Sequence, residues 1–568
     1  MTSVISYLKQ KWHLLILFFI WFFSTILQFI WLTLDKMPPW GDGISPVLEG
    51  MRLFQEQSLN GWEGLIRSLF QVPVYSFSPP IIAATYFLYY KIFGLSSEME
   101  IMVNSLYLAL GVIGVYGIGK YLFDKYTGLF SALIFTSLPG VIMFAKLGFK
   151  EFNMMCFIAL TIYLLLKSNG FKDRRFSILF AISFAATLLI KLESMIFIIF
   201  PLAFIGVRVF LDRNFFKDRY RVITMILVPV IVFSISSWYA VNFFSFMQSL
   251  SERVGTNAGM HSVYFSTKNL GFYSYILYNE LLTKFQIGFF IAIFTYMLVR
   301  ILSLKIKAPE LRRNIFLVIC FIFPFLVFTF LCEKTMAHLL SLLLFASLIM
   351  AGGCSIIRNK IVKYIIICVV VLHCINIQLG PLFALDCDMK NPPYLVKVSP
   401  VDNIFYKLRE RFPSLYGDEL RITLEAWSSQ LRAILEFIDK NYNPVDSDNS
   451  RKKPSVLLLS NFEPFRFFQM EYYNMKIGLP VSLTFFISGF QFFKEAILSG
   501  KYDYIITEEP LYLQDPDHEE PRQLKMIYSF IEENQDEFDK KYKIVKKIDL
   551  PRQSSAVIYK RINLESKQ

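Results

Sequence analysis

Acids and bases recur wherever this chain turns on one side of its apolar runs. Asp42 follows the first run, in Pro38-Pro39-Trp40-Gly41-Asp42-Gly43. Lys150 and Glu151 form a second group, Lys191 and Glu193 a third, and Glu333, Lys334 and His338 a fourth. A carboxylate can draw a proton from a hydroxyl, and a lysine can hold a phosphate. Each group alone reads as an interfacial anchor or a local ion pair. Together they set proton-accepting and anion-binding chemistry over one end of a bundle, the combination a lipid-phosphate substrate requires. Asp42 is the sharpest of them, because ionised side chains at the edge of a membrane interior are costly and often functional. The residues after it begin an amphipathic helix, and a carboxylate beside a helix N-terminus is favoured in its ionised form. Ser45 can cap that helix, Pro46 suits its first turn, and Ile44, Val47, Leu48, Met51 and Phe54 fall on one side.

The elements that must position these groups are membrane spans. Of 568 residues, 55% are hydrophobic and 17% aromatic, the composition of a polytopic membrane protein with room for a soluble domain. Residues 1–380 carry a net charge of +15 and residues 381–568 a net charge of −2. The excess lies on loops flanking apolar runs, as the positive-inside rule expects, and does not point to nucleic acid. The seven cysteines lie mostly in apolar runs, with no disulfide framework or zinc spacing. Lys9 and Lys11 precede an apolar run too long for a signal-peptide core, which reads as a retained anchor.

Six basic clusters, at 9–11, 120–125, 167–175, 208–221, 305–313 and 358–363, set the topology when all are placed in the cytoplasm. The spans then run over 14–34, 101–121, 128–145, 152–167, 176–190, 194–210, 221–243, 286–304, 313–331, 337–352 and 361–380. That is about 11 transmembrane helices, N-terminus inside and C-terminus outside, in a bacterial inner membrane. The apolar stretch 80–93 is too short to cross, so it is assigned to the outer interface. The first outer loop, about 35–100, is then a set of amphipathic helices on the membrane, and the second, about 244–285, carries His261. The expected domains are a transmembrane unit, 1–380, and an extracytoplasmic α/β domain, 381–568. Strands at 456–459, 481–486, 502–507, 544–548 and 556–559 alternate there with helices near 465–475, 490–498 and 522–541. Asp386-Cys387-Asp388 has the D-x-D form of soluble sugar transferases, but three residues after the last span read as chance, and the acidic run 508–520 reads as a solvated loop.

The order of these features resembles the GT-C type membrane glycosyltransferases, among them the protein O-mannosyltransferases and the lipid A aminoarabinose transferase. The resemblance runs over about residues 10–380. It is carried by Asp42 after the first span, Ser78-Pro79-Pro80 opening an aromatic helix that ends at Phe93-Gly94, and Lys120, Lys125 and Gly128 at a basic turn. Pro139 and Glu151 at the second outward turn, Leu189-Ile190-Lys191, and Lys334 with His338 complete it. Three positions depart from the family pattern: Gly43 where a second acid often follows, Asn104 where a basic residue often precedes the second span, and Glu151 in place of an aspartate.

The resemblance implies inverting transfer of a sugar from a polyprenyl-phosphate donor to a glycan, lipid or protein acceptor on the outer face. It implies Asp42 as general base, with Glu151 as a second catalytic acid. Lys150, Lys191 and Lys334 would hold the donor phosphate. His261 and His338 would serve the acceptor, and a divalent ion could join Glu151 and His338. The competing expectation is a transporter or scaffold, but charges gathered at outward ends rather than at mid-membrane favour the enzyme.

Overall fold

The computed structural model describes residues 2–34, 44–70, 79–95, 98–212, 217–247, 267–302, 308–330, 336–357, 359–385, 418–442, 453–459, 474–475, 481–485, 490–509, 519–550 and 554–562. Asp42, His261, Lys334, the Asp386–Asp388 motif and most of the helix expected at 465–475 lie outside them. The chain divides into two compact units, one over residues 1–35 and 41–413, the other mainly over 414–568.

The first unit is helical: α1 (Thr2–Leu34), α2 (Ile44–Phe70), α3 (Pro80–Phe93), α4 (Glu98–Leu122), α5 (Lys125–Thr136), α6 (Pro139–Leu147), α7 (Lys150–Lys167), α8 (Arg174–Leu188), α9 (Met195–Phe210), α10 (Arg219–Ser236), α11 (Trp238–Val241), α12 (Thr267–Ile276), α13 (Lys284–Leu302), α14 (Ala308–Phe330), α15 (Leu342–Ile356) and α16 (Lys360–Leu385). Among the described residues seven helices are long and apolar enough to cross a membrane, or eight if α5 and α6, bent by 61° at their junction, make one span. The chain is an integral membrane protein. Three helices at expected crossings fall outside that set: α8 and α15 have 15 residues each, and the 18 of α7 include Lys150, Glu151 and Lys167. Fifteen residues rise only about 22 Å, against a hydrocarbon core of about 30 Å. Most of α15 is packed within protein, with every residue from Leu342 to Cys354 buried, so lipid thickness does not set its length.

Glycines let α4 meet its neighbours. A Cβ on Gly114 would lie 2.4 Å from the Ala159 carbonyl carbon, one on Gly111 2.9 Å from Cys156 Sγ, and one on Gly117 2.3 Å from the Tyr163 ring. The rising numbers on both sides mean that α4 and α7 run parallel, backbone against backbone, as small residues permit in membranes. Gly114→Val is therefore expected to cost about 3 kcal/mol, the upper end for overpacking. The check is the thermal midpoint of the detergent-solubilised protein; an unchanged midpoint would contradict this contact.

Pro139 breaks the α5–α6 span because it offers no N–H to the preceding turn. Polar side chains cover the break. Gln378 donates to Thr136 Oγ1 (3.0 Å) and Ser137 Oγ (3.1 Å), and Gln286 to the Ser137 carbonyl (3.4 Å). Of these, the Gln286 amide satisfies a backbone carbonyl at the break, as needed where water is absent, while Gln378 ties the two hydroxyls beside it.

The two amphipathic stretches expected in the first outer loop are the two helical halves of α2, which meet at the non-helical backbone of Gly61 (φ 65°, ψ −155°). Ile44, Val47, Leu48 and Met51 are buried as their spacing requires, whereas Trp62, Ile66 and Phe70 are exposed. Ser45 lies inside the first turn of α2 rather than ahead of it. The short helix α3, expected at the interface, crosses α2 where Gly50 leaves no room for a side chain: a Cβ there would be 2.4 Å from Tyr86 Cβ.

The second unit contains α17 (Asp418–Asn441), β1 (Ser455–Leu459), β2 (Ser482–Phe485), α18 (Phe490–Leu498), β3 (Tyr504–Glu509), α19 (Glu519–Glu533), α20 (Gln535–Lys541), β4 (Tyr542–Leu550) and β5 (Ser554–Arg561). Its sheet has the order β2-β1-β3-β5-β4, with β2, β1 and β3 parallel and β5 and β4 antiparallel additions. β1, flanked by β2 and β3, is buried on both faces, which is why it reads as a continuous apolar run rather than an alternating one. Val456 and Leu458 meet Leu431, Ile434 and Ile438 of α17; Leu457 and Leu459 meet Ile497, Leu524 and Ile527.

Candidate active site

The α6–α7 turn is made by Gly148, whose left-handed backbone (φ 71°) ends α6, and by extended Phe149. This sets Lys150 and Glu151 in the first turn of α7, where the unpaired N–H groups favour a negative side chain. Only 6% of Glu151 is exposed. Its Oε1 accepts a hydrogen bond from Lys191 Nζ at 2.7 Å, while Oε2 is buried with no hydrogen-bond partner among the described residues.

Lys191 follows α8 in extended conformation and precedes a single 3-10 turn, Leu192–Ser194. That turn brings Glu193 back, so the same ammonium also lies 3.0 Å from Glu193 Oε2. Burial acts to lower the Lys191 pKa, but Glu151 and Glu193 together drive it above the ordinary lysine value. The ammonium is thus held charged. Glu193 Oε2 in turn lies 3.5 Å from His338 Nε2, in a second 3-10 turn, Met336–Leu339. The imidazole stacks on Phe328 with ring centroids 5.1 Å apart, which fixes its plane. A proton on His338 would make that contact an ion pair and bring the four-residue chain from −1 to neutral.

Lys150 points elsewhere: its Nζ lies 3.5 Å from Ser45 Oγ in α2. Asn104 occupies the position where a basic residue was expected, and its amide donates to the Ala145 carbonyl at 2.8 Å. It thereby satisfies the end of α6 just before the Lys150–Glu151 turn. Tyr239 donates to the Leu188 carbonyl (2.7 Å) at the end of α8, beside Lys191, and Trp238 to the Leu69 carbonyl (2.9 Å).

Of the residues singled out in the sequence, the fold joins Glu151, Lys191 and His338 through Glu193 and sets Lys150 against α2. Sequence reasoning missed Glu193 as the link, although its two-residue spacing from Lys191 was visible. It also missed Asn153, fully buried one turn into α7 with neither amide atom hydrogen-bonded among the described residues. Its one signal is an amide inside an apolar run. Among the described residues no three His, Cys, Asp or Glu side chains gather to hold a metal. Glu151 and Glu193 already share one ammonium, so these side chains do not make a metal site by themselves.

Residues 78–238 match the family model described as dolichyl-phosphate-mannose-protein mannosyltransferase. No curated protein matches the chain by sequence. The fold is similar to that of ArnT from Cupriavidus metallidurans in the apo state, with TM-score 0.57, 12% identity, and 97% of this chain and 98% of that one covered. The same protein bound to undecaprenyl phosphate matches with TM-score 0.52 and 12% identity, over 96% and 97%. The archaeal oligosaccharyltransferase AglB from Archaeoglobus fulgidus, in complex with an inhibitory peptide and a dolichol-phosphate, matches with TM-score 0.50 and 12% identity, over 99% and 75%. In fold along nearly its whole length, and in sequence over residues 78–238, the chain resembles the GT-C type membrane glycosyltransferases.

Proposed function

We propose that this protein transfers a sugar from a polyprenyl-phosphate donor to an acceptor on the outer face of a bacterial inner membrane. The observation that carries the proposal is Glu151 in a GT-C type fold: one oxygen is clamped by Lys191, and the other is buried with no hydrogen-bond partner among the described residues. Solved neighbours of this fold hold undecaprenyl phosphate and a dolichol-phosphate, which supports a donor of that class.

In the proposed reaction Asp42 takes the proton of the acceptor hydroxyl as its oxygen attacks the anomeric carbon. The bond from that carbon to the phosphate oxygen breaks, polyprenyl phosphate leaves, and the carbon is inverted. Glu151 orients the acceptor through the oxygen that Lys191 does not hold. Lys150 and Lys334 hold the donor phosphate as charge gathers on it. Lys191 acts through Glu151 and Glu193, and His338 closes that chain, while His261 joins from the second outer loop.

Counting α7, α8 and the α5–α6 pair as crossings, together with α15, gives eleven spans, with the N-terminus in the cytoplasm and the domain after about residue 381 outside. Oriented proteoliposomes test both halves of this reading. A cysteine introduced in α17 (Asp418–Asn441) and labelled by a membrane-impermeant reagent reports the fraction of molecules with that domain outward. Release of polyprenyl phosphate from externally added, labelled donor is expected to rise with that fraction. Turnover that follows the inward fraction would overturn the orientation, and absence of turnover in both would overturn the donor class.

A further inference from the structure

The far end of α4 carries a second concentration of chemistry that the transfer reaction does not use. Because α4 and α7 run parallel, Lys120 lies about 24 Å along α4 from Asn104, at the end of the bundle away from Glu151. There α1, α4 and α5 converge. Lys125 Nζ sits 5.7 Å from the Trp12 ring centroid and 5.2 Å from that of Tyr126; Lys120 Nζ sits 5.7 Å from that of Tyr116. Among the described residues neither ammonium meets a carboxylate. The nearest acid in sequence, Asp124, spends an oxygen on the Tyr126 and Thr127 N–H groups that it caps.

Two other cationic corners of this unit differ. Arg221 is paired with Asp212 at 2.7 Å, and Arg300 with Glu310 at 3.0 Å. Behind the two lysines, His13 stacks on Tyr116 (6.2 Å) and stands edge-on to Trp12 (6.4 Å). His13 is 9% exposed and Tyr116 6%, and His13 Nδ1 and Tyr116 Oη are both buried without a hydrogen-bond partner among the described residues. Unpartnered buried polar atoms are rare and call for a missing partner such as a ligand or water. Two cations that meet no carboxylate among the described residues, backed by two buried polar atoms that no described group satisfies, are complementary to a phosphate, which accepts from such cations.

We infer that this corner binds the phosphate of an anionic lipid headgroup. The apolar surface beside it favours a lipid over free phosphate. The turns of α1 that follow Trp12 expose Leu15, Phe18, Phe19 and Phe22, a face that acyl chains cover and inorganic phosphate does not use. Trp and Tyr flanking lysines at the end of an apolar helix are also the pattern of a membrane boundary.

The test uses the full-length protein in nanodiscs of phosphatidylcholine containing a minority of phosphatidylglycerol. Native mass spectrometry counts the retained anionic lipid, with inorganic phosphate added in a parallel arm. Each lysine near an anionic surface contributes roughly fivefold to association, so Lys120→Gln/Lys125→Gln is expected to lower retention by about thirtyfold. Retention displaced by inorganic phosphate at equal concentration would instead assign the corner to free phosphate and overturn the lipid assignment. Equal retention in parent and variant, or equal retention of phosphatidylcholine, would overturn the site. If the variant does not fold, a photoreactive phosphatidylglycerol on the parent protein decides: crosslinks to the peptides of Trp12 or Tyr126 support the site, and crosslinks confined elsewhere remove it.

Discussion

Replacing Lys191 by methionine is expected to destabilise the protein by about 3–5 kcal/mol, the range for removing one partner of a buried ion pair. Its ammonium is the one group within 2.7 Å of a Glu151 oxygen among the described residues, and Glu151 is almost wholly buried. Methionine fills the space of the lysine stem but leaves the carboxylate without a countercharge. The measurement is thermal unfolding of the purified protein in detergent. The double change Glu151→Gln with Lys191→Met should restore much of the loss, since it removes the uncompensated charge with its partner. Glu193→Gln should cost less, because that side chain is about a third exposed. A direct phosphate contact at Lys191 predicts a different outcome: the fold is retained and donor affinity falls by about 1.5–3 kcal/mol. Lys191→Met with parental stability and weakened donor binding would therefore make this lysine a donor ligand and not a clamp.

The legibility of the fold followed the range of the interactions involved. Apolar runs and basic clusters are local signals, so α1, α4, α9, α10, α13, α14 and α16 sit where crossings were read. The short α8 and α15 show where such a reading thins: α15, enclosed by protein, needs no full hydrocarbon length, whereas α8, with Leu179 and Ile182 exposed, is simply short. In the second unit the alternation of strands and helices was visible. The order β2-β1-β3-β5-β4 was not, because it depends on which edges pair across the chain. The helix expected over 522–541 breaks at Asn534 into α19 and α20, a boundary that a continuous polar-apolar pattern does not mark.

The candidate site was legible as a set of residues and not as a geometry. Glu151 and Lys191 stand 40 residues apart, and no periodicity relates them. Their pairing follows from α7 and α8 being neighbours with a tight 3-10 turn after the second. Asn104 was noticed as a departure from the family pattern. Its hydrogen bond to Ala145 gives a structural reason for an amide there: it closes the end of α6, which a longer cationic side chain would do with different reach. Asn153 was invisible because a single amide in an apolar helix carries no spacing.

Asp42→Asn is expected to lower sugar transfer by about 10²- to 10⁴-fold while leaving thermal stability close to that of the parent. The carboxylate follows the first long apolar helix and lies two residues before the start of α2, whose first turn holds Ser45 against Lys150. A base in this stretch would share its end of the bundle with Glu151. Asparagine keeps the size and can still donate or accept a hydrogen bond, but it cannot take the acceptor proton. The loss should therefore fall on kcat, with the donor KM little changed, since the proposed reaction leaves donor binding to the lysines. Glu151→Gln separates the two acids. If Glu151 only orients the acceptor, the loss should be about the value of one hydrogen bond to a charged group, 1.5–3 kcal/mol, smaller than for the base. The readout is release of polyprenyl phosphate from labelled donor, with hydrolysis to water standing in where the acceptor is not supplied. A pH series adds a second criterion: activity governed by an ionised base rises with pH through the pKa of the carboxylate and then levels, and Asp42→Asn should abolish that rise. Transfer by Asp42→Asn at the parental rate, with the rise intact, would move the base to Glu151.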